Sequence, residues 1–112
     1  MDFVFVDPPQ ILSVGPSKTV HARMNRRTVL TCEANANPAP KYRWLQLKTS
    51  NTKEMESAVV PRGYEKTLVI ENVNYEYQGQ FVCEATNKID GETRSVQSQP
   101  IKIEVTGAPQ VQ

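Results

Sequence analysis

Short runs of alternating apolar and polar residues follow one another along this chain, each closed by Gly, Pro or Asn. No stretch sustains a helical period, so the pattern predicts an all-β protein with many turns. Gln10–Val14 reads as a first strand that ends at Gly15-Pro16. Proline has no amide hydrogen to give to a ladder, so this pair predicts a strand leaving one sheet for the other. Thr19–Arg23 resumes as a short edge strand, and Asn25-Arg26 turns it because asparagine tolerates the left-handed conformation. Thr28–Ala34 places Leu30, Cys32 and Ala34 on one face and Val29, Thr31 and Glu33 on the other. Asn35–Pro40 is a proline-punctuated loop. Lys41–Leu47 follows as a strand with Tyr42 and Trp44 inward and Arg43, Leu45 and Leu47 outward.

Lys48–Glu56 is polar, a loop or a weak edge strand; Ser57–Pro61 is a short strand and Arg62-Gly63-Tyr64 a turn. Thr67–Glu71 points Leu68 and Ile70 inward, and Asn72–Gln78 crosses between sheets. Gln80–Thr86 sends Phe81, Cys83 and Ala85 inward and Val82, Glu84 and Thr86 outward. Asn87–Gly91 reads as a hairpin loop, with Asp90-Gly91 the strongest turn signal in the chain. Glu92–Val105 is the long final strand, interrupted at Pro100 by a bulge or an unpaired edge. The predicted core centres on Trp44, Leu68, Ile70 and Phe81.

Composition narrows the class. With 112 residues the chain makes one domain with a single core. A net charge of +1 argues against a nucleic-acid binder, which shows a strong basic excess. No apolar run approaches the roughly 18 residues of a membrane span, and Met1–Val6 lacks the basic and apolar regions of a signal peptide. The two cysteines flank the lone Trp44, which suggests two sheets tied through their middle with the indole against the tie. Without CxxC spacing, they fit a structural disulfide better than a metal or redox site. Pro9-Gln10-Ile11 is echoed by Pro109-Gln110-Val111, each preceded by an alternating strand end. The echo reads as one unit of a string: residues 1–7 ending a preceding unit or linker, 8–106 the domain, and 107–112 a linker onward.

Candidate chemistry is sparse. His21 has no cysteine or acid beside it in sequence and reads as a surface histidine. The carboxylates are scattered over turns and outer faces, Glu54 and Glu56 included, and no phosphate loop, GxSxG or HExxH occurs. The chain is therefore expected to be no enzyme and to hold no metal or cofactor. An aliphatic strip rimmed by charge, Arg43, Leu45 and Leu47 with Val82 and Glu84, is the candidate protein-binding face. The competing reading is that Leu45 or Leu47 is covered by the next edge segment. Lys18, Arg23, Arg26 and Arg27, with His21, form a basic run suited to a sulfated glycan (a glycosaminoglycan) or an acidic partner. The favoured reading of the run is a solvated edge guarded against sheet pairing. No Asn-x-Ser/Thr sequon is present, so N-glycans are not expected to shield either sheet.

Taken together, Leu30-x-Cys32-x-Ala34, Pro38-x-Pro40, Trp44, Leu68-x-Ile70-x-x-Val73 and Gly79-x-Phe81-x-Cys83-x-Ala85-x-Asn87 resemble the I-set of the immunoglobulin superfamily. The resemblance covers essentially residues 8–106 and implies a two-sheet antiparallel sandwich with a Cys32–Cys83 bridge. The Asn-Pro-Ala-Pro loop and the Ala-Thr-Asn after Cys83 look like ectodomains of neural adhesion and guidance receptors, with a texture like invertebrate members. That implies a non-enzymatic extracellular part of a cell-surface or secreted protein. Its partners would be proteins, homophilic or heterophilic, without nucleic acid or direct membrane contact. The same fold also serves as a structural module of giant intracellular muscle or cytoskeletal proteins. It also binds soluble ligands in growth-factor and guidance-ligand receptors. Two positions depart from the family pattern. Phe81 stands where a tyrosine normally bonds back to the crossing backbone, so the tyrosine corner is expected to be absent. Tyr77 stands where an aspartate normally pairs with an arginine; an Arg62–Tyr77 cation–π contact is expected in its place.

Overall fold

The alternation carries through into burial. On strand β3 (Thr28–Asn37), Leu30 and Cys32 are buried while Val29, Thr31 and Glu33 are exposed. A computed structural model describes residues 6–49 and 57–107. The other strands are β1 (Asp7–Gly15), β2 (Thr19–Arg23), β4 (Lys41–Thr49), β5 (Ser57–Gly63), β6 (Thr67–Ile70), β7 (Gly79–Ile89), β8 (Glu92–Gln97) and β9 (Ile101–Thr106). A 3-10 turn at Tyr75–Tyr77 is capped by Asn74, whose side chain accepts from the Glu76 amide. One sheet runs β1-β3-β6; the other runs β2-β9-β7-β4-β5, with β8 pairing β7 beyond β9. The chain passes between sheets at Gly15-Pro16, as predicted, and β2 then pairs parallel to β9.

The core fills the space between the sheets. Leu30, Trp44, Phe81 and Ile103 are fully buried, joined by Leu68, Ile70, Val73 and Ile101. The Cys32–Cys83 disulfide links β3 to β7, and Trp44 is the cross-strand neighbour of Cys83. The indole Nε1 donates to the Lys66 carbonyl at 3.3 Å, so the one polar atom of this large side chain is satisfied inside. Asn87 fastens the end of the sandwich where β1 begins: its Nδ2 donates to the carbonyls of Asp7 (2.9 Å) and Pro38 (3.1 Å).

Several boundaries differ from the sequence reading, and in each case a partner strand explains the change. β3 extends through Asn37, because Asp7 and Gln10 of β1 pair with Asn37 and Asn35. Asn87–Ile89 is strand and not loop, held by pairing with Glu92–Arg94. Only Asp90 and Gly91 remain in the hairpin, both at positive φ (52° and 81°), which suits the right-handed twist of the strands. Arg62 and Gly63 belong to β5 rather than to a turn, with Gly63 opposite Trp44. A Cβ on Gly63 would lie 2.9 Å from Leu68 Cδ1, so alanine there would force the buried Leu68 side chain to shift. The final strand breaks as predicted. Ser98 bridges the gap between β8 and β9, its Oγ accepting from the Cys83 amide at 2.9 Å and its amide donating to the Cys83 carbonyl. The Pro109-Gln110-Val111 echo, Glu54 and Glu56 lie outside the described residues.

Candidate functional site

The residues of the predicted binding face come together on the outer side of the larger sheet. Arg43 stands opposite Glu84 and Leu45 opposite Val82, so β4 and β7 present them side by side. Two nitrogens of Arg43, Nη2 at 2.7 Å and Nε at 3.1 Å, donate to Glu84 Oε1. Gln97, on β8, donates to the other carboxylate oxygen at 3.3 Å. The Glu84 side chain is only 16% exposed, so it is a fixed anchor, while Arg43 at 45% keeps much of its surface for solvent or a partner. Toward the Asp90-Gly91 hairpin, the Thr86 and Ser95 hydroxyls share a 2.8 Å hydrogen bond. There the face opens into a shallow depression of about 720 Å³, lined by Lys41, Arg43, Tyr64, Glu84, Thr86 and Ser95.

The aliphatic half of the strip is not an open surface. Leu45 is 3% exposed and Val82 4%, so these two are corrected from contact residues to floor. The reason lies in the pairing: Leu45 sits between Val82 of β7 and Pro61 of β5, with apolar neighbours on both flanks. Leu47 is half-buried, and Val59, opposite it on β5, is 52% exposed and supplies the open apolar contact. Leu45→Asp is therefore expected to destabilise the fold by at least about 3 kcal/mol, because it buries an unpaired carboxylate. A urea midpoint unchanged from wild type would refute that assignment.

Beneath the same sheet lies a polar cluster that sequence reasoning caught only in part. Arg62 stacks on Tyr77, its Cζ 4.7 Å from the ring centroid, as the departure from the family pattern predicted. Arg62 Nε also donates to Gln46 Oε1 at 2.8 Å, and Nη1 reaches the Glu76 carboxylate at 3.4 Å. Gln46 has no exposed surface, and its Nε2 donates to the carbonyls of Glu76 (2.7 Å) and Gln78 (3.2 Å). This amide therefore ties β4 and β5 to the turn that leads into β7. Its inward parity with Trp44 was the available signal.

The basic run is less continuous in space than in sequence. Lys18, Arg23, Arg26 and Arg27 are all exposed, but β2 lies parallel to β9, whose Glu104 stands opposite His21. Glu104 lies 3.4 Å from His21 Nδ1 and 3.1 Å from Lys102 Nζ, so a carboxylate separates Lys18 from the arginines. The parallel partner is distant in the chain, which is why the run looked free of acid.

Comparisons with known proteins agree with this geometry. The family model described as immunoglobulin domain matches residues 8–87. Limbic system-associated membrane protein of Gallus gallus is 33% identical over 86 residues, 73% of this chain and 23% of that protein. Neural cell adhesion molecule 1 of Gallus gallus is 32% identical over 89 residues, 74% of this chain and 8% of that protein. The chain thus spans less than a quarter of the length of either relative. A crystal structure of Dpr2 Ig1-Ig2 in complex with DIP-Theta Ig1-Ig3 superposes with a TM-score of 0.62 at 25% identity, covering 89% of this chain and 32% of that chain. A bridged two-sheet sandwich, the matching family model and these relatives converge: the chain belongs to the immunoglobulin-domain family.

Proposed function

We propose that this chain is a non-enzymatic, extracellular recognition unit of a cell-surface adhesion or guidance protein, and that it works within a row of similar units. The observation that carries the reading is its kinship, at about a third identity, with two vertebrate proteins named for membrane association and cell adhesion. Two features support the serial arrangement. β1 begins beside Asn37 at one end of the sandwich, and β9 ends beside Arg23 at the other. The matching solved chain is about three times longer and carries immunoglobulin domains in series.

The surface offered to a protein partner is the outer face of the larger sheet. Arg43 is its charged contact, Glu84 and Gln97 hold Arg43 in place, and Leu47 with Val59 gives apolar area. A preset guanidinium gives specificity and fast association, while many weak contacts along a row add through effective concentration. The test is a binding screen of this chain, clustered on beads, against displayed extracellular proteins. Arg43→Glu places like charge directly opposite the mostly buried Glu84 and is expected to lower binding of the selected partner about tenfold; the repulsion also lowers the melting temperature, so binding is measured well below it, where the variant is folded. The reading fails if no extracellular protein binds the clustered chain, or if Arg43→Glu and Val59→Asp both leave binding intact.

A further inference from the structure

Away from the face just described, a second groove of about 460 Å³ runs between β1 and β8, where an edge of each sheet comes to the surface. Among the described residues β1 bonds only to β3 and β8 only to β7, so each strand has one side of its backbone without a strand partner there. Open edges of this kind invite pairing, and proteins ordinarily guard them with charge. Along this stretch the charge is missing, and proline and a bulge interrupt the edge instead. The groove is lined by Pro9–Val14 and Val96–Gln99, none of them charged, in a chain that is 22% charged. Leu12 stands at its rim. In the ladder Ile11 pairs with Ala34 and Ser13 with Glu33, so Leu12 is the extra residue of a β-bulge. The bulge turns its side chain outward, leaving it 57% exposed.

We infer that this groove is a contact between two copies of the chain, related by a two-fold axis, with Leu12 of each copy seated in the groove of the other. An isologous contact sets a patch against itself, so it needs both a projection and a recess and cannot tolerate a net charge of one sign. The β1–β8 patch meets all three conditions: Leu12 projects, Pro9, Ile11, Val14 and Val96 line the recess with apolar side chains, and no charge opposes its own image. Amide and hydroxyl groups of Gln10, Ser13 and Gln99 border the apolar strip and can exchange hydrogen bonds across the axis. The contact uses neither Arg43 nor Glu84, so it stands or falls independently of the outer-face reading.

Sedimentation velocity on the chain over a concentration series tests this. A reversible dimer is expected, with a dissociation constant between about 10 µM and about 1 mM, the range of weak contacts that act in multiples. Leu12→Asp is expected to weaken it at least tenfold at unchanged melting temperature, since the side chain is largely in solvent. Gln99→Lys, which sets two like charges near the axis, is a second variant expected to act in the same direction. A chain that stays monomeric to about 1 mM overturns the inference; so does occupation of the groove by a strand of a different protein without any dimer. A dimer that both variants leave intact, or that only Arg43→Glu disrupts, overturns it as well.

Discussion

The double variant Cys32→Ala, Cys83→Ala is expected to lose about 4 kcal/mol of stability. The bridge joins residues 51 apart in sequence, so it removes a long loop's worth of freedom from the unfolded chain. It also joins the two sheets directly, β3 to β7, beside an indole with no exposed surface. A domain of this size has about 5–15 kcal/mol in total, so the variant keeps at best a narrow margin of folded state. Urea denaturation of wild type and variant checks this, with the wild type repeated in strong reductant. The reductant should reproduce the variant's midpoint within error. A loss below about 1 kcal/mol would mean that the core of Trp44, Leu30, Phe81 and Ile103 holds the sheets together unaided. That outcome would also favour an intracellular structural module, whose cysteines can stay reduced, over the extracellular reading.

Local chemistry was the part of the fold most legible in the sequence. Gly15-Pro16 marked the change of sheet, Asn25 and Asp90 took the positive φ expected of them, and the break at Pro100 separates β8 from β9. Each of these follows from what one or two residues permit the backbone to do. The strand ends at Asn35–Asn37 and Asn87–Ile89 were missed because their polar residues are held in strands by distant partners, β1 and β8. The same limit affected the candidate site. Period-two alternation correctly put Leu45 and Val82 on the outer face, but facing outward is not the same as facing water. Whether an outer residue is covered depends on its neighbours across the ladder, here Val82 on one side of Leu45 and Pro61 on the other. Glu104 beside His21 was hidden for the same reason, since only parallel pairing of β2 with β9 brings it there. The Arg62–Tyr77 contact was legible because two family positions changed in a way that left a cation and a ring where a salt bridge is usual. The amide that completes the cluster was not, since a lone glutamine between two leucines carries no signal beyond parity.

Gln46→Ala is expected to cost about 3 kcal/mol, more than any other polar substitution in the chain. The amide makes three hydrogen bonds with no exposed surface: two given to the Glu76 and Gln78 carbonyls and one taken from Arg62 Nε. Truncation strands all three partners and opens a void at the foot of β4. Gln46→Leu separates the two effects, because it fills most of the space yet restores no hydrogen bond; it should recover less than half of the loss. Arg62 also lies over the Tyr77 ring and near the Glu76 carboxylate, so the cluster behaves as one unit. A double-mutant cycle of Gln46→Ala with Arg62→Ala should therefore fall short of additivity by about 1 kcal/mol. Additive losses would show that the two side chains act separately. Because the two carbonyls belong to the turn that enters β7, the loss of Gln46 should appear first as faster amide exchange at Glu76–Gly79. The Cys83 amide, held by Ser98 Oγ, should keep its protection until the whole domain unfolds.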